Sequence, residues 1–256
     1  MMKSWYFELV RRNRLLAYSG LICFIICLGM VILSFLDGRQ LYGVNIWNKP
    51  IKFYLSIAVL FWTTGWLMND ISNRKAVRLI SIGTVICLAG ELVIITFQAF
   101  QGKASHFNVS SPTDGILFGI MGILIFVNSL FYVYLLILFA REKGLAKGYK
   151  VGVMLGLIIF LIGGYEGYIM AARLSHTVGA ADGQEGIFFL SWAKAYGDLR
   201  IFHFFALHGL QVLSLAGWYI FRHNPKGIWA FGVLYIILSS GTFWYALQGK
   251  SFLGFL

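Results

Sequence analysis

The sequence predicts an all-α integral membrane protein, a single bundle of seven transmembrane helices with no second folded domain between residues 1 and 256. Hydrophobic residues make up 59% of the 256 residues and charged residues only 12%, which no soluble domain of this length resembles. Apolar runs long enough to cross a bilayer recur seven times, and together they use most of the chain.

The seven predicted spans follow from the need for about 20 apolar residues per crossing. They cover roughly residues 15–36, 50–69, 76–100, 114–140, 150–172, 199–222 and 227–248. Basic residues precede the first run, as in a signal peptide, but no small-residue cleavage pattern follows it. We therefore expect it to be retained as the first span.

Basic residues predict the orientation, because cytoplasmic loops carry an excess of Lys and Arg. The richest segments are 3–14, 74–78 and 141–150, which predicts the N-terminus inside and the C-terminus outside, in a bacterial inner (plasma) membrane. This bias also explains the net charge of +11. Since no basic stripe with interleaved aromatics is present, we expect no nucleic acid among the partners.

The sixth span carries an unusual number of polar side chains. At about 100° per residue, one helix face holds Arg200, His203, His208 and Gln211. Polar groups in a membrane helix usually face the protein interior or a wet cavity. We therefore expect the functional site to lie on this face of the sixth span.

Two carboxylates fall at the depth of the two histidines, counted at 1.5 Å per residue. Glu91 in span 3 and Glu166 in span 5 lie roughly 13 Å and 9 Å below the outer ends of their helices. His208 and His203 lie roughly 13 Å and 6 Å down. The sequence thus predicts a pocket that opens to the outside, lined by these four residues and by further polar side chains: Gln98, His106, Arg200, Gln211 and Ser240. Within it, we expect a site of His208 with Glu91 or of His203 with Glu166.

Several interpretations of this pocket stay open. Histidine with carboxylate is a ligand set for divalent metals, so Glu91, His208, Glu166 and His203 are candidate metal ligands. His203 and His208 are candidate haem ligands, and we favour such a cofactor, used for redox or hydrolytic work. Whether the protein is an enzyme is left open.

The alternatives need no cofactor. Glutamate–histidine chains carry protons in transporters, so the protein is alternatively a transporter or channel for a small molecule or ion from the outer side. It is also interpretable as a non-catalytic accessory subunit, with partners in a membrane complex. In a purely structural interpretation, the carboxylates pair with Arg200 and the histidines to neutralise buried charge.

Two further expectations concern packing. Glycines at Gly115, Gly119 and Gly122 in span 4, and throughout span 5, predict close helix contact in both spans. The loop 173–198 is long and contains an apolar piece at 187–192. We expect this piece to lie over the outer mouth of the pocket as a lid.

Overall fold

The computed structural model describes residues 2–252 and is almost entirely helical. Its helices are α1 (Met2–Arg12), α2 (Arg14–Leu36), α3 (Asn48–Leu67), α4 (Arg74–Phe100), α5 (Pro112–Arg141), α6 (Lys147–Arg173), α7 (Arg200–Tyr219) and α8 (Pro225–Leu247). In the described residues, seven helices are long and apolar enough to cross a membrane. The all-α prediction is confirmed, and the predicted bounds agree with the helices to within three residues.

The first helix, α1, is a short polar helix that the hydropathy of the sequence does not predict. It ends at Asn13, whose extended backbone (φ −152°) breaks the chain direction before α2 begins. The Asn13 side chain caps α2 by accepting a hydrogen bond from the Leu16 amide, and it donates one to Ser81 Oγ at 2.8 Å. A buried side chain on α4 thus fixes the junction of α1 and α2.

The chain divides into two compact units, and the division falls within α5 after Phe131. Unit 1 contains α1 to α4 and the first part of α5. Its elements pack in chain order, α2 on α3 and α3 on α4, and a hairpin of β1 (Gln40–Leu41) and β2 (Val44–Asn45) connects α2 to α3. The prediction that all 256 residues form one domain stays a prediction.

Unit 2 is built around the contact of α6 with α7. A Cβ atom placed on Gly156 would lie 3.0 Å from the Gly209 carbonyl oxygen, so the two backbones approach closely because side chains are missing there. A second hairpin, β3 (Thr177–Val178) with β4 (Gly197–Asp198), closes the long loop between them.

The glycine prediction is therefore confirmed for the fifth span only. On α5, a Cβ atom at Gly115, Gly119 or Gly122 would meet no atom of the described chain within 4 Å. Glycine spacing marks where a close contact is sterically allowed, and it does not require one.

Candidate functional site

A histidine–carboxylate pair lies between α6 and α7, inside unit 2. His203 Nδ1 is 3.1 Å from Glu166 Oε2, and the Glu166 side chain is 3% exposed while that of His203 is 30% exposed. Depth matching predicted that these residues lie together, and the structure brings them into contact. In this pair, candidate residues on two different spans of one unit meet directly.

The hydrogen bond of His203 goes to the backbone of the opposite helix. Its Nδ1 lies 2.9 Å from the Gly163 carbonyl oxygen, an atom that can only accept, so Nδ1 carries the proton and donates. Neither oxygen of Glu166 has a hydrogen-bond donor among the described residues. The carboxyl group therefore lies beside the imidazole ring but does not accept the hydrogen bond from Nδ1.

Missing side chains on α6 make room for the imidazole. A Cβ atom on Gly167 would lie 3.1 Å from His203 Cε1, closer than ordinary van der Waals contact. On the same helix, a Cβ atom on Gly163 would lie 2.7 Å from the Ala206 Cβ. The local sequence of α6 thus sets both the position of the ring and the carbonyl to which it binds.

The remaining polar residues of α7 do not join this pair. The rings of His208 and Phe204 are 4.4 Å apart, and the side chain of His208 hydrogen-bonds that of Gln211. His208 and Gln211 are half-buried, whereas Ala206 and Leu210 on the opposite side are fully buried. The predicted polar face of α7 exists, but the core of unit 2 is formed by its apolar face.

Arg200 has a different role from either one predicted for it. It lies at the first turn of α7, where its Nε donates to Asp198 Oδ1 at 2.9 Å and its Nη2 to Asp198 Oδ2 at 2.6 Å. The same guanidinium donates to the Ser191 carbonyl. The structural interpretation that Arg200 neutralises Glu166 is therefore not met, since the fully buried Asp198 is its partner. The pairing of Arg200 with Glu91, in the other unit, stays a prediction.

Asp198 was missed because the sequence places it in a loop. Its carboxylate also accepts from the Ala193 amide at 2.8 Å, and the His176 ring lies 3.9 Å away. These contacts tie loop 173–198 to the start of α7. A carboxylate two residues before an arginine at the start of a span was the available signal.

The loop contains a second carboxylate with several donors. Asp182 accepts from Ser175 Oγ at 2.8 Å and from the Thr177 amide at 2.9 Å, with the His176 ring 3.3 Å away. Burial raises the pKa of Asp182, but the His176 charge and these hydrogen bonds outweigh it, so the pKa lies below its usual range.

The apolar piece of this loop packs on α7, as predicted in part. The Trp192 ring lies 5.4 Å from the Phe204 ring and 6.5 Å from the Phe205 ring. Phe188, at the tip, is 98% exposed. Trp192 therefore covers the first turns of α7, whereas Phe188 projects away from the described chain.

Unit 1 has a buried carboxylate of its own. Glu91 on α4 is 2% exposed, its Oε1 has no donor among the described residues, and Lys49 on α3 is close enough to act on it electrostatically. Sequence reasoning missed Lys49, although its place in the first turn of span 2 was a signal. Glu91 and His208 belong to different units, and their pairing stays a prediction.

The other predicted residues of unit 1 make local contacts. Gln98, fully buried, donates to Asp114 Oδ1 at 3.0 Å, and Lys103 lies 3.3 Å from the same carboxylate. His106 packs its ring 5.4 Å from that of Phe53. In unit 2, Ser240 is on the exposed side of α8, and its neighbour Ser239 is the buried one.

The donor set does not fit a divalent metal. Within the described part of the chain, no three His, Cys, Asp or Glu side chains are placed to hold a metal ion, and the two ligands of the His203–Glu166 pair are fewer than protein metal sites use. We therefore derive no step through a metal. A haem ligand at His203 or His208 stays a prediction.

Comparisons with known proteins add no constraint on the site. No family model, no curated protein and no solved structure matches the chain. The fold itself defines the class, a polytopic helical membrane protein. Anything more specific has to come from the residues above.

Proposed function

We propose that this membrane protein takes up and releases protons at the His203–Glu166 pair, as a proton-coupled transporter of a small solute or ion does. We place it in a bacterial inner membrane, with the pair reached from the outer side. The observation that supports this proposal is the 3.1 Å contact of His203 Nδ1 with Glu166 Oε2, between two helices that pack closely at glycines.

The chemistry of the two groups suits proton transfer. Histidine is the side chain that normally changes its charge between about pH 5 and 8, and ionisable residues within spans are expensive unless they serve a purpose. The Nδ1–H group of His203 donates to the Gly163 carbonyl, which leaves the other ring nitrogen available for proton exchange. The protonated ring then lies beside the carboxylate, which stabilises its charge.

The ends of α7 suggest how protons and solute reach the pair. His203 lies one turn inside the start of α7, roughly 5 Å from it. Trp192 packs on that turn, and Arg200 holds it to the loop. A movement of loop 173–198 would therefore change the access of water to His203.

The test is a measurement of proton binding and of proton flux. Purified protein in liposomes is examined by infrared difference spectroscopy over the range in which carboxyl and imidazole groups titrate, about pH 4 to 8. We expect carboxyl bands that Glu166→Gln removes and imidazole bands that His203→Gln removes. An imposed pH gradient should also drive uptake from a mixture of labelled amino acids, sugars and monovalent cations.

The control is Asn128→Ala, which alters a buried polar residue outside the pair. It should leave both the bands and the uptake in place. Identical spectra for the wild type and Glu166→Gln would contradict the proposal, and so would uptake that is independent of the pH gradient.

A further inference from the structure

The end of unit 1 that carries the N-terminus has a groove with a basic floor. It lies where α1, α2 and α4 meet and has a volume of about 500 Å³, a size typical of small-ligand clefts. Eight residues line it: Arg12, Asn13, Leu15, Arg74, Val77, Arg78, Ser81 and Ile82. Three are arginines and none is acidic.

The three arginines differ in the number of contacts that their guanidinium groups already make with other residues of the protein. Arg12 is paired with Glu8 at 2.8 Å and its guanidinium lies 4.2 Å from the centre of the Trp66 ring. Arg74 donates only to the Asn69 carbonyl, at 3.3 Å. Arg78 has no hydrogen bond or ion pair with the described residues. Two guanidinium groups, one turn apart on α4, thus have donors available for an anion.

The groove combines this charge with apolar walls. Leu15 on α2 is 41% exposed and Ile82 on α4 is 40% exposed. Further along the same helices, Ile22 and Ile86 are also exposed. A ligand with an anionic head and an apolar tail could place its head against the arginines and its tail against the exposed apolar residues of α2 and α4.

Aromatic residues place the groove at the level of the lipid headgroups. The Trp5 ring stacks on that of Trp66 at 6.2 Å and meets that of Trp62 edge-on at 5.9 Å, and tryptophan clusters of this kind mark membrane–water interfaces. Basic pockets between spans on the cytoplasmic side favour anionic headgroups, and arginine binds phosphate through two parallel hydrogen bonds.

We propose that this groove binds the phosphate group of an anionic phospholipid, with Arg74 and Arg78 as the phosphate ligands and the exposed faces of α2 and α4 in contact with the acyl chains. The site lies wholly in unit 1 and is independent of the His203–Glu166 pair. It distinguishes anionic from zwitterionic lipids, because the positive charge of a choline group would meet Arg12.

The experiment measures lipid retention by the full chain. Purified protein in detergent is equilibrated with equal amounts of dioleoylphosphatidylglycerol and dioleoylphosphatidylcholine, and the bound lipid is counted by native mass spectrometry. The wild type should retain phosphatidylglycerol with at least about tenfold preference. Arg74→Gln combined with Arg78→Gln should remove the preference, and Arg78→Gln alone should reduce it about fivefold.

Arg14→Gln is the matched control. Arg14 is an exposed arginine at the same end of α2 that does not line the groove, so the preference should persist. An equal loss in Arg14→Gln and in Arg78→Gln would mean that general surface charge attracts the lipid, which overturns the proposal. Since Arg78 makes no contact in the described chain, that single variant remains testable if the double variant fails to fold.

Competition by two soluble ligands distinguishes a lipid site from a site for free phosphate. Inorganic phosphate and glycerol phosphate are titrated against bound phosphatidylglycerol. Neither should displace the lipid at equal concentration, because both lack the acyl chains. Displacement by inorganic phosphate at that concentration would identify a soluble-anion site and contradict the lipid assignment.

Discussion

The two units each bury one glutamate within a span, and they neutralise it differently. In unit 1, Glu91 is near Lys49, whose ammonium group ordinarily stays charged throughout the physiological range. In unit 2, Glu166 touches His203, a residue type that gains or loses its charge near neutral pH. A similar burial cost is therefore offset by a fixed charge in one unit and by a switchable one in the other.

This difference explains why we assign proton transfer to unit 2 alone. A lysine keeps its own charge near neutral pH, which suits a structural or solute-binding role. A histidine can pass a proton on, and its second ring nitrogen is left for that exchange. The units also differ in packing, since glycine permits backbone contact between α6 and α7, whereas the glycines of α5 are open.

The largest effect is expected from filling a glycine contact in unit 2. In Gly148→Ala the added Cβ atom would meet the Phe221 carbonyl oxygen, so the start of α6 and the segment that follows α7 must separate. We expect a loss of about 3 kcal/mol in the free energy of unfolding, measured by denaturation in mild detergent.

Gly119→Ala in α5 is the matched variant for that measurement. Nothing lies within 4 Å of the added atom, and alanine favours helix by up to about 1 kcal/mol. If both variants were destabilised equally, the result would contradict the difference in packing between unit 2 and α5.

The second effect concerns the switchable pair. His203→Ala leaves a buried carboxylate without its basic neighbour and should destabilise the protein by about 3 kcal/mol. In a Glu166→Gln background the same change should cost at least about 1 kcal/mol less. The coupling is measured as a double-mutant cycle by denaturation at neutral pH.

The same cycle on Glu91 and Lys49 sharpens the comparison. Because lysine keeps its charge throughout this range, the Lys49–Glu91 coupling should not weaken between about pH 6 and 8, whereas a coupling to histidine, a residue type that normally loses its charge there, should weaken. A pH-independent coupling in both units would contradict the distinction.

A smaller effect is expected at the outer loop. Trp192→Ala removes the ring that packs on Phe204 and should cost about 1 kcal/mol. A cysteine placed at Phe204 should then react faster with a water-soluble thiol reagent. Phe188→Ser, at the exposed tip, should change neither value, and unaltered reactivity in Trp192→Ala would exclude a lid.

The smallest effect is a pH dependence of the same loop. Because the folded-state pKa of Asp182 is lowered, its contribution to stability is present above the unfolded value of about 3.9 and is lost as the pH falls through the folded one. The protection factor of the Thr177 amide, which donates to Asp182, should fall on acidification in the wild type once the intrinsic pH dependence of amide exchange is corrected for. In Asp182→Asn this acid sensitivity should disappear.

The spans were predictable because crossing a bilayer imposes length and hydropathy on each helix. The helix α1 was not, since its 11 residues are too few and too polar on average for a span, although its apolar residues recur with helical periodicity. The hairpin of β3 with β4 was also missed, because strands of two residues are too short to show a hydrophobic pattern in the sequence.

Part of the site was predictable from depth. Counting residues brought His203 to the level of Glu166 because both helices are regular up to their outer ends. Depth counting predicted the His203–Glu166 pair, but it gives no rotation of a helix about its own axis, so it could not predict that the His203 ring also contacts the Gly163 carbonyl. Arg200 was assigned to the glutamates on position alone, while the local contact with Asp198 decided its actual place.

The contact of Asn13 with Ser81 has a consequence for biosynthesis. The two residues are 68 positions apart, and a ribosome adds residues at roughly 5 to 20 per second. The junction after α1 therefore waits roughly 3 to 14 s after its own synthesis before its partner on α4 has been made. Until the third span enters the bilayer, the junction after α1 lacks its contact with Ser81. During this interval only the first two spans are available to hold α1 at the membrane surface.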